Sequence, residues 1–330
     1  MTDEFHILSL DGGGVRGLFS AAVLAAMEED LGMSVTDCFD LLVGTSTGGI
    51  IAIGLGLGLR PREIVDFYYT RGTYVFSNPL GLRSMWRVLF SKYSQSRLEK
   101  VLREPGLFGE RALGESARPL VIPSYSLSED DVYLFKTDHD KRLRRDWKVP
   151  AWQVALATCA APTYFRASSH VANQRHVDGG LWANNPVMVA VTEAVSVFGC
   201  ALDKVRVLSL GTTSPVRRRG PFLDNGGCLP WALAATDVFL RAQSLSATNE
   251  AVHLLGKENV IRIDPLVPDR LFGLDTISRR DELLAKAAHV SRSFMPLFHE
   301  QFGGHRAAPY TPAHARATVP CGAMEVTGND

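Results

Sequence analysis

The chain has 330 residues, 46% of them hydrophobic and 21% charged, an ordinary mix for a soluble globular enzyme and enough to bury a real core. Lys+Arg and Asp+Glu both number 35, so the balance gives no argument for a DNA or RNA polymer as partner, although a local basic patch is compatible with it. Five cysteines, at Cys38, Cys159, Cys200, Cys228 and Cys321, are scattered without a CxxC pair or zinc-like spacing. Reduced cytosolic thiols and no metal site are expected, with Cys38, Cys159 and Cys200 as core filler.

The N-terminal MTDEFHILSL carries acidic residues and runs directly into a strand-like segment, so no secretory signal is expected. FHILSL (5–10) reads as a buried strand that stops at DGGGVRG (11–17). LFSAAVLAAMEEDLG (18–32) has helical apolar spacing and ends at Gly32. FDLLVG (39–44) predicts a second buried strand, and GGIIAIGLGLG a buried helix weakened by its glycines. The most apolar stretch, IIAIGLGLGL (50–59), is short for a membrane span and is followed by RPRE. PREIVDFYYTRG (61–72) predicts a helix with Pro61 near its start.

Residues 72–117 are aromatic and basic with weak periodicity, and two readings stand: a lid or partner surface, or a helix packed on the core. Within them SQSRLEKVLRE predicts a helix capped by Ser94 or Ser96. RPLVIPSYSL (118–127) and DVYLFKT (131–137) read as strands joined by an acidic turn. WQVALATCAAPTYF (152–165) reads as a helix broken by Pro162, and HVDGGLWANNPVMVAVTEAVSVFG (176–199) as a turn leading into a helix. VRVLSLGT (205–212) is a further buried strand. Alternating helices and continuously apolar strands predict an α/β fold in three layers, a largely parallel central sheet with helices on both faces.

After 213 the character changes. SPVRRRGPFLDNGG (214–227) is basic and loop-like, 231–256 reads as a long amphipathic helix or a helix pair, and NVIRIDPLV (259–267) as a strand into a turn. Residues 279–302 predict a terminal helix, and the aperiodic stretch beyond it a mobile tail. The expected organisation is a core at 1–213 with an insert at 72–117, a mostly helical part at 214–305, and a tail at 306–330.

Three segments carry chemistry. GTSTGG (44–49) fits G-x-S-x-G between an apolar strand and an apolar helix, the setting in which a strained turn presents a serine nucleophile, here Ser46. DGGGVRG offers the amides of Gly13 and Gly14, with Gly12 next, as donors to an oxyanion, and Arg16 either stabilises charge there or braces the loop. A dinucleotide site is the rival for Gly12, Gly14 and Gly17, but Asp40 lies at the wrong end of the next strand for it. HVDGG supplies Asp178, which can accept the serine proton directly. None of the nine histidines sits in a recognisable partner motif, and His176 is expected to point away in an extended chain. The alternatives for Ser46 and Asp178 are a structural turn and a turn cap.

DGGGVRG, GTSTG, CAAPTYF and DGG, in this order over residues 5–212, resemble the patatin-like phospholipase family. The resemblance implies a Ser46–Asp178 dyad, an oxyanion hole from Gly12, Gly13 and Gly14 with Arg16 beside it, and hydrolysis of lipid acyl esters without metal or cofactor. The long elbow helix, the aromatic insert and the helical C-terminal part are similar to the patatin-like effectors of bacterial cyclic-oligonucleotide anti-phage systems. That similarity implies a cyclic dinucleotide or trinucleotide activator, with SPVRRRGPF and the helices after it as its site, or alternatively a plain solvated loop there. It also implies self-assembly, a phospholipid membrane surface as substrate, and a cytoplasmic protein that meets the inner face of the membrane transiently. A plain carboxylesterase or lysophospholipase, and a storage protein with a vestigial site, are the competing expectations.

Overall fold

In the computed structural model, residues 4–76, 91–217, 219–269 and 271–314 are described. The apolar run Phe5–Leu10 forms β1, and Gly17–Leu31 forms α1. Then come β2 (Leu41–Gly44), α2 (Thr47–Gly56), α3 (Pro61–Val75) and α4 (Gln95–Leu102). The hairpin β3 (Leu120–Ser126) and β4 (Asp131–Lys136) precedes α5 (Ala151–Thr158), β5 (His176–Asp178), a short α6 (Gly180–Ala183) and α7 (Val187–Ser196). The rest comprises β6 (Val205–Leu210), β7 (Ser214–Val216), α8 (Cys228–Leu255), β8 (Val260–Ile263), β9 (Leu266–Pro268) and α9 (Arg280–Gln301).

The main sheet has the order β4-β3-β2-β1-β6-β8, with β5 also paired to β3. β3-β2-β1-β6-β8 are parallel, and β4 and β5 are antiparallel to β3. Central parallel strands have no solvent face, which is why β1, β2 and β6 are mostly apolar, interrupted only by His6 and Ser9 in β1 and by Arg206 and Ser209 in β6. Side chains alternate between two cores. Leu8, Leu10, Leu42, Ile122 and Leu208 meet α1, α2, α5 and α9, while Ile7, Val43, Val121, Val205 and Val207 meet α7 and α8. Three layers result, as the sequence predicts.

The part after 214 is not separate from this sheet: β8 adds a parallel strand beside β6, and α9 packs on α1. Residues 231–256 resolve into one continuous helix, α8, rather than a pair. The helix expected over 152–165 ends earlier, at Thr158, and Cys159–Phe165 folds as turns. The residue before a proline disfavours helical geometry, and here the break falls ahead of Ala161–Pro162. Residues 306–314, expected in the tail, are strapped to the domain. Arg118 donates to the Ala307 and Ala308 carbonyls, and Tyr310 donates to Asp138. Part of the 72–117 insert, residues 77–90, and of the tail, residues 315–330, lies outside the described residues. Among the described residues no helix is long and apolar enough to cross a membrane.

Candidate active site

Strand register brings the two ends of the site together. β2 pairs Leu42 with Leu120 and Val43 with Val121 of β3. Continued past the end of β2, that register sets Ser46 level with Ser124. Ser124 is the residue that β5 pairs with Asp178. β5 thus occupies the place beside β3 that β2 vacates when the chain turns into α2. The Ser46 hydroxyl donates to Asp178 Oδ2 at 2.6 Å.

The turn is strained. Ser46 has φ 54° and ψ −121°, outside the basins that non-glycine residues favour. Its amide donates to Thr158 Oγ1 at 2.9 Å, and that hydroxyl donates to the Pro123 carbonyl at 2.6 Å, so α5 and β3 hold the strained residue. Small neighbours are required. A Cβ on Gly48 would overlap the Leu10 carbonyl, and one on Gly44 would overlap the Gly48 carbonyl. Ser46 stands at the N-terminus of α2, whose dipole favours negative charge there.

Asp178 is buried, and its Oδ1 accepts the Gly180 amide at 2.7 Å. Burial pushes its carboxyl up from 3.8 to about 6, against the opposing pull of the Ser46 and Gly180 hydrogen bonds. A carboxylate with that pKa is ionised near neutrality yet basic enough to take a proton. His176 is no substitute. Both its ring nitrogens are buried without a hydrogen-bond partner, its ring packs against Tyr133 and Phe135, and burial lowers its pKa. The expected reason was wrong, because residues two apart on a strand share a face. What removes His176 from Ser46 is a displacement of about 7 Å along the strand. Cys159 borders the same cavity; burial raises its thiol pKa well above the ordinary value, and the Asp178 carboxylate accepts its hydrogen bond from Ser46.

The glycine loop follows β1. Gly14 has φ +59°, and a side chain on it would overlap the Leu274 carbonyl, so glycine is needed on both counts. One expectation is corrected here, and of the two roles open to Arg16 one is favoured. The Gly12 amide is spent on the Asn184 carbonyl at 2.9 Å and is not free to meet an oxyanion. The Arg16 guanidinium donates to the Gly13 carbonyl at 3.3 Å and the Thr213 carbonyl at 2.8 Å, which makes it the brace of the loop rather than a charge donor to it. No acceptor engages the Gly13 or Gly14 amide among the described residues. The loop is also clamped from β8, where Arg262 donates to both Asp11 oxygens at 2.7 and 2.6 Å and to Asp264 at 3.2 Å. Burial raises the Asp11 carboxyl, Arg262 opposes that rise, and the Arg262 guanidinium is itself held charged by its acidic partners.

Sequence reasoning missed Thr158, Asn184, Gln243 and Arg262. Asn184 lies in the ANNP that follows DGG, and Thr158 directly precedes CAAPTYF, so both stood beside segments already singled out. Gln243 and Arg262 had no local signal. The Gln243 side chain accepts the amides of Asn184 at 3.0 Å and Asn185 at 3.4 Å.

Ser46 and Asp178 open into a cavity of about 950 Å³. One side is apolar, with Phe67, Val75, Phe76, Leu98, Phe165 and Phe272, and another carries Arg217, Arg219 and Arg241. Among the described residues no group of three or more His, Cys, Asp or Glu is placed to hold a metal ion.

Residues 8–191 match the family model described as "Patatin: Patatin-like phospholipase". The chain is 32% identical over 318 residues to a cGAMP-activated phospholipase of Pseudomonas aeruginosa, an alignment that covers 92% of this chain and 93% of that one. It is 33% identical over 233 residues to a cGAMP-activated phospholipase of Vibrio cholerae, covering 64% of this chain and 65% of that one. It is also 33% identical over 207 residues to the 85/88 kDa calcium-independent phospholipase A2 of Rattus norvegicus, covering 57% of this chain and 23% of that one. With the elbow serine, the buried aspartate and the glycine loop assembled in the matched region, the chain belongs to the patatin-like phospholipase family, hydrolases that act on the ester bonds of lipids.

Proposed function

We propose that the protein is a phospholipase of the A type that cleaves carboxylic esters of membrane phospholipids through a Ser46–Asp178 dyad and an acyl-enzyme. The observation that carries this reading is the 2.6 Å hydrogen bond from a strained elbow serine to a buried aspartate at the floor of a partly apolar cavity. Asp178 accepts the Ser46 proton as the serine oxygen attacks the ester carbonyl. The Gly13 and Gly14 amides hold the oxyanion. Asp178 returns the proton to the leaving lysolipid alcohol, takes one from water as that water attacks the acyl-enzyme, and passes it to the Ser46 oxygen as the fatty acid leaves. The apolar wall suits an acyl chain.

A cyclic nucleotide, cGAMP first among the candidates, switches this activity on in an anti-phage response. Support comes from the relatives at 32–34% identity whose name is cGAMP-activated phospholipase. The basic segment after β7 remains the proposed activator region, and Arg218 within it lies outside the described residues. The protein acts in the cytoplasm at the inner face of the membrane and self-assembles, without metal or cofactor. Its organisation is a core at 1–213 completed by β8, with the mostly helical remainder of 214–305 packed on it and a tail after that.

The test is fatty-acid release from phospholipid vesicles with and without cGAMP, for wild type and Ser46→Ala. Release only by wild type, and more with cGAMP, is expected. Equal release in both conditions refutes the activation and leaves an unregulated esterase or lysophospholipase. A storage protein with a vestigial site would fail to react with a labelled fluorophosphonate.

A further inference from the structure

The catalytic cavity has a second wall, opposite in character to the apolar one. Asp237, Leu240, Arg241 and Ser244 of α8 line it, and Arg217 and Arg219 join from the chain after β7. Asp237 precedes Arg241 by one helical turn, the spacing at which an Asp–Arg pair forms. That carboxylate is already taken, by Arg217 at 2.8 Å and Arg219 at 2.7 Å. Arg217 also reaches Asp269 at 3.1 Å. The Arg241 side chain makes no hydrogen bond or ion pair among the described residues.

The other acids of the lining are engaged elsewhere. Asp11 and Asp264 pair with Arg262, Asp275 with Lys92, and Asp178 holds Ser46. Of the four arginines in the described lining, Arg16 is tied to two carbonyls and Arg217 and Arg219 to carboxylates, which leaves Arg241 to offer its donors. A guanidinium presents a planar fork of N–H donors that fits a phosphate oxygen pair.

The wall is fixed close to the reacting atoms. Gln243, two residues after Arg241, holds the Asn184 amide, and the Asn184 carbonyl holds the Gly12 amide. A Cβ on Gly12 would lie 3.3 Å from Ser46 Cβ. Two hydrogen bonds thus link α8 to the loop that touches the nucleophile.

We propose that Arg241, backed by Arg217 and Arg219, forms a subsite for a phosphodiester monoanion inside the catalytic cavity. This rests on the phospholipase reading, because a lipid held there by its phosphate would direct an acyl ester toward Ser46. A cyclic dinucleotide carries the same phosphodiester chemistry, so two sources of the ligand are separated experimentally.

The experiment is calorimetric binding to the Ser46→Ala protein, which cannot consume the ligand. Three probes are used: dihexanoylphosphatidylcholine, dihexanoylglycerol, which lacks the phosphate, and cGAMP. Adding Arg241→Gln should weaken a phosphodiester probe by about tenfold, the scale of one lost charge-assisted hydrogen bond, while dihexanoylglycerol keeps its affinity. Loss confined to dihexanoylphosphatidylcholine assigns the subsite to the lipid headgroup, and loss confined to cGAMP assigns it to the activator. Arg241→Lys keeps the charge without the fork and should show a smaller loss, so it carries the test if the glutamine variant does not fold. Affinities for both phosphodiester probes that stay within about twofold overturn the proposal. Because binding is read without turnover, failure of wild type to hydrolyse vesicles would count against the phospholipase reading and leave this result standing.

Discussion

Replacing Asp178 by Asn should give a poorer enzyme and, above neutrality, a more stable protein. The Asp178 carboxyl titrates at about 6 in the fold against 3.8 for the free group, chiefly because burial disfavours its charge. A shift of roughly two units corresponds to about 3 kcal/mol between the two protonation states. The folded pKa lies above the unfolded one, so the native state holds the proton more tightly. That stabilisation is fully present below 3.8 and is lost as pH rises through about 6. At about pH 8 the ionised carboxylate therefore costs the fold up to about 3 kcal/mol, and a neutral amide removes that cost. At about pH 4 the two proteins should differ little. Catalysis moves the other way. An amide cannot take the Ser46 proton, and loss of a general base lowers kcat by about 10²–10⁴-fold. Wild-type kcat/KM should fall about tenfold per pH unit below about 6, as the base fills with protons. Thermal unfolding at the two pH values, with ester hydrolysis followed between them, reads both effects. An Asn variant no more stable than wild type at the higher pH, with turnover within about tenfold, would refute the buried-base reasoning.

Gly14→Ala should cost about 1–3 kcal/mol and most of the turnover, since the residue is at positive φ and its new methyl meets the Leu274 carbonyl; a thermal melt equal to wild type contradicts this. Arg262→Met should destabilise by about 3–5 kcal/mol in denaturant unfolding, because Asp11 loses both hydrogen bonds while buried. Adding Asp11→Asn should recover part of that loss, and strictly additive losses would argue against the clamp. Gln243→Ala should cost about 1–3 kcal/mol and lower kcat more than it raises KM, because the Asn184–Asn185 amides lose their acceptor and the Asn184 carbonyl that holds Gly12 loses its support. A rise in KM with kcat intact places Gln243 in substrate binding instead.

By itself the sequence determined the layered fold and singled out Ser46 and Asp178, the pair that the structure brings within hydrogen-bond distance. Both follow from local physics: continuous apolar strands demand cover on both faces, and a serine among glycines between strand and helix can only be a tight turn. Asp178 was legible through its two glycines. The tertiary structure decided which of the glycine-loop groups are free. Gly12 ranked just behind Gly13 and Gly14 as a donor in the chain, but its amide is used by Asn184, some 170 residues away in sequence, and no local pattern encodes that pairing. Of the two roles open to Arg16, stabilising charge or bracing the loop, the second is favoured by the two carbonyls that its guanidinium meets. The extent of the helix before Pro162, the single helix at 228–255, and the clamp from β8 onto Asp11 were likewise set by packing. Hydrogen bonds between segments distant along the chain have no sequence period, so Gln243, Arg262 and Arg241 acquire their meaning only when the strands and α8 close around one cavity.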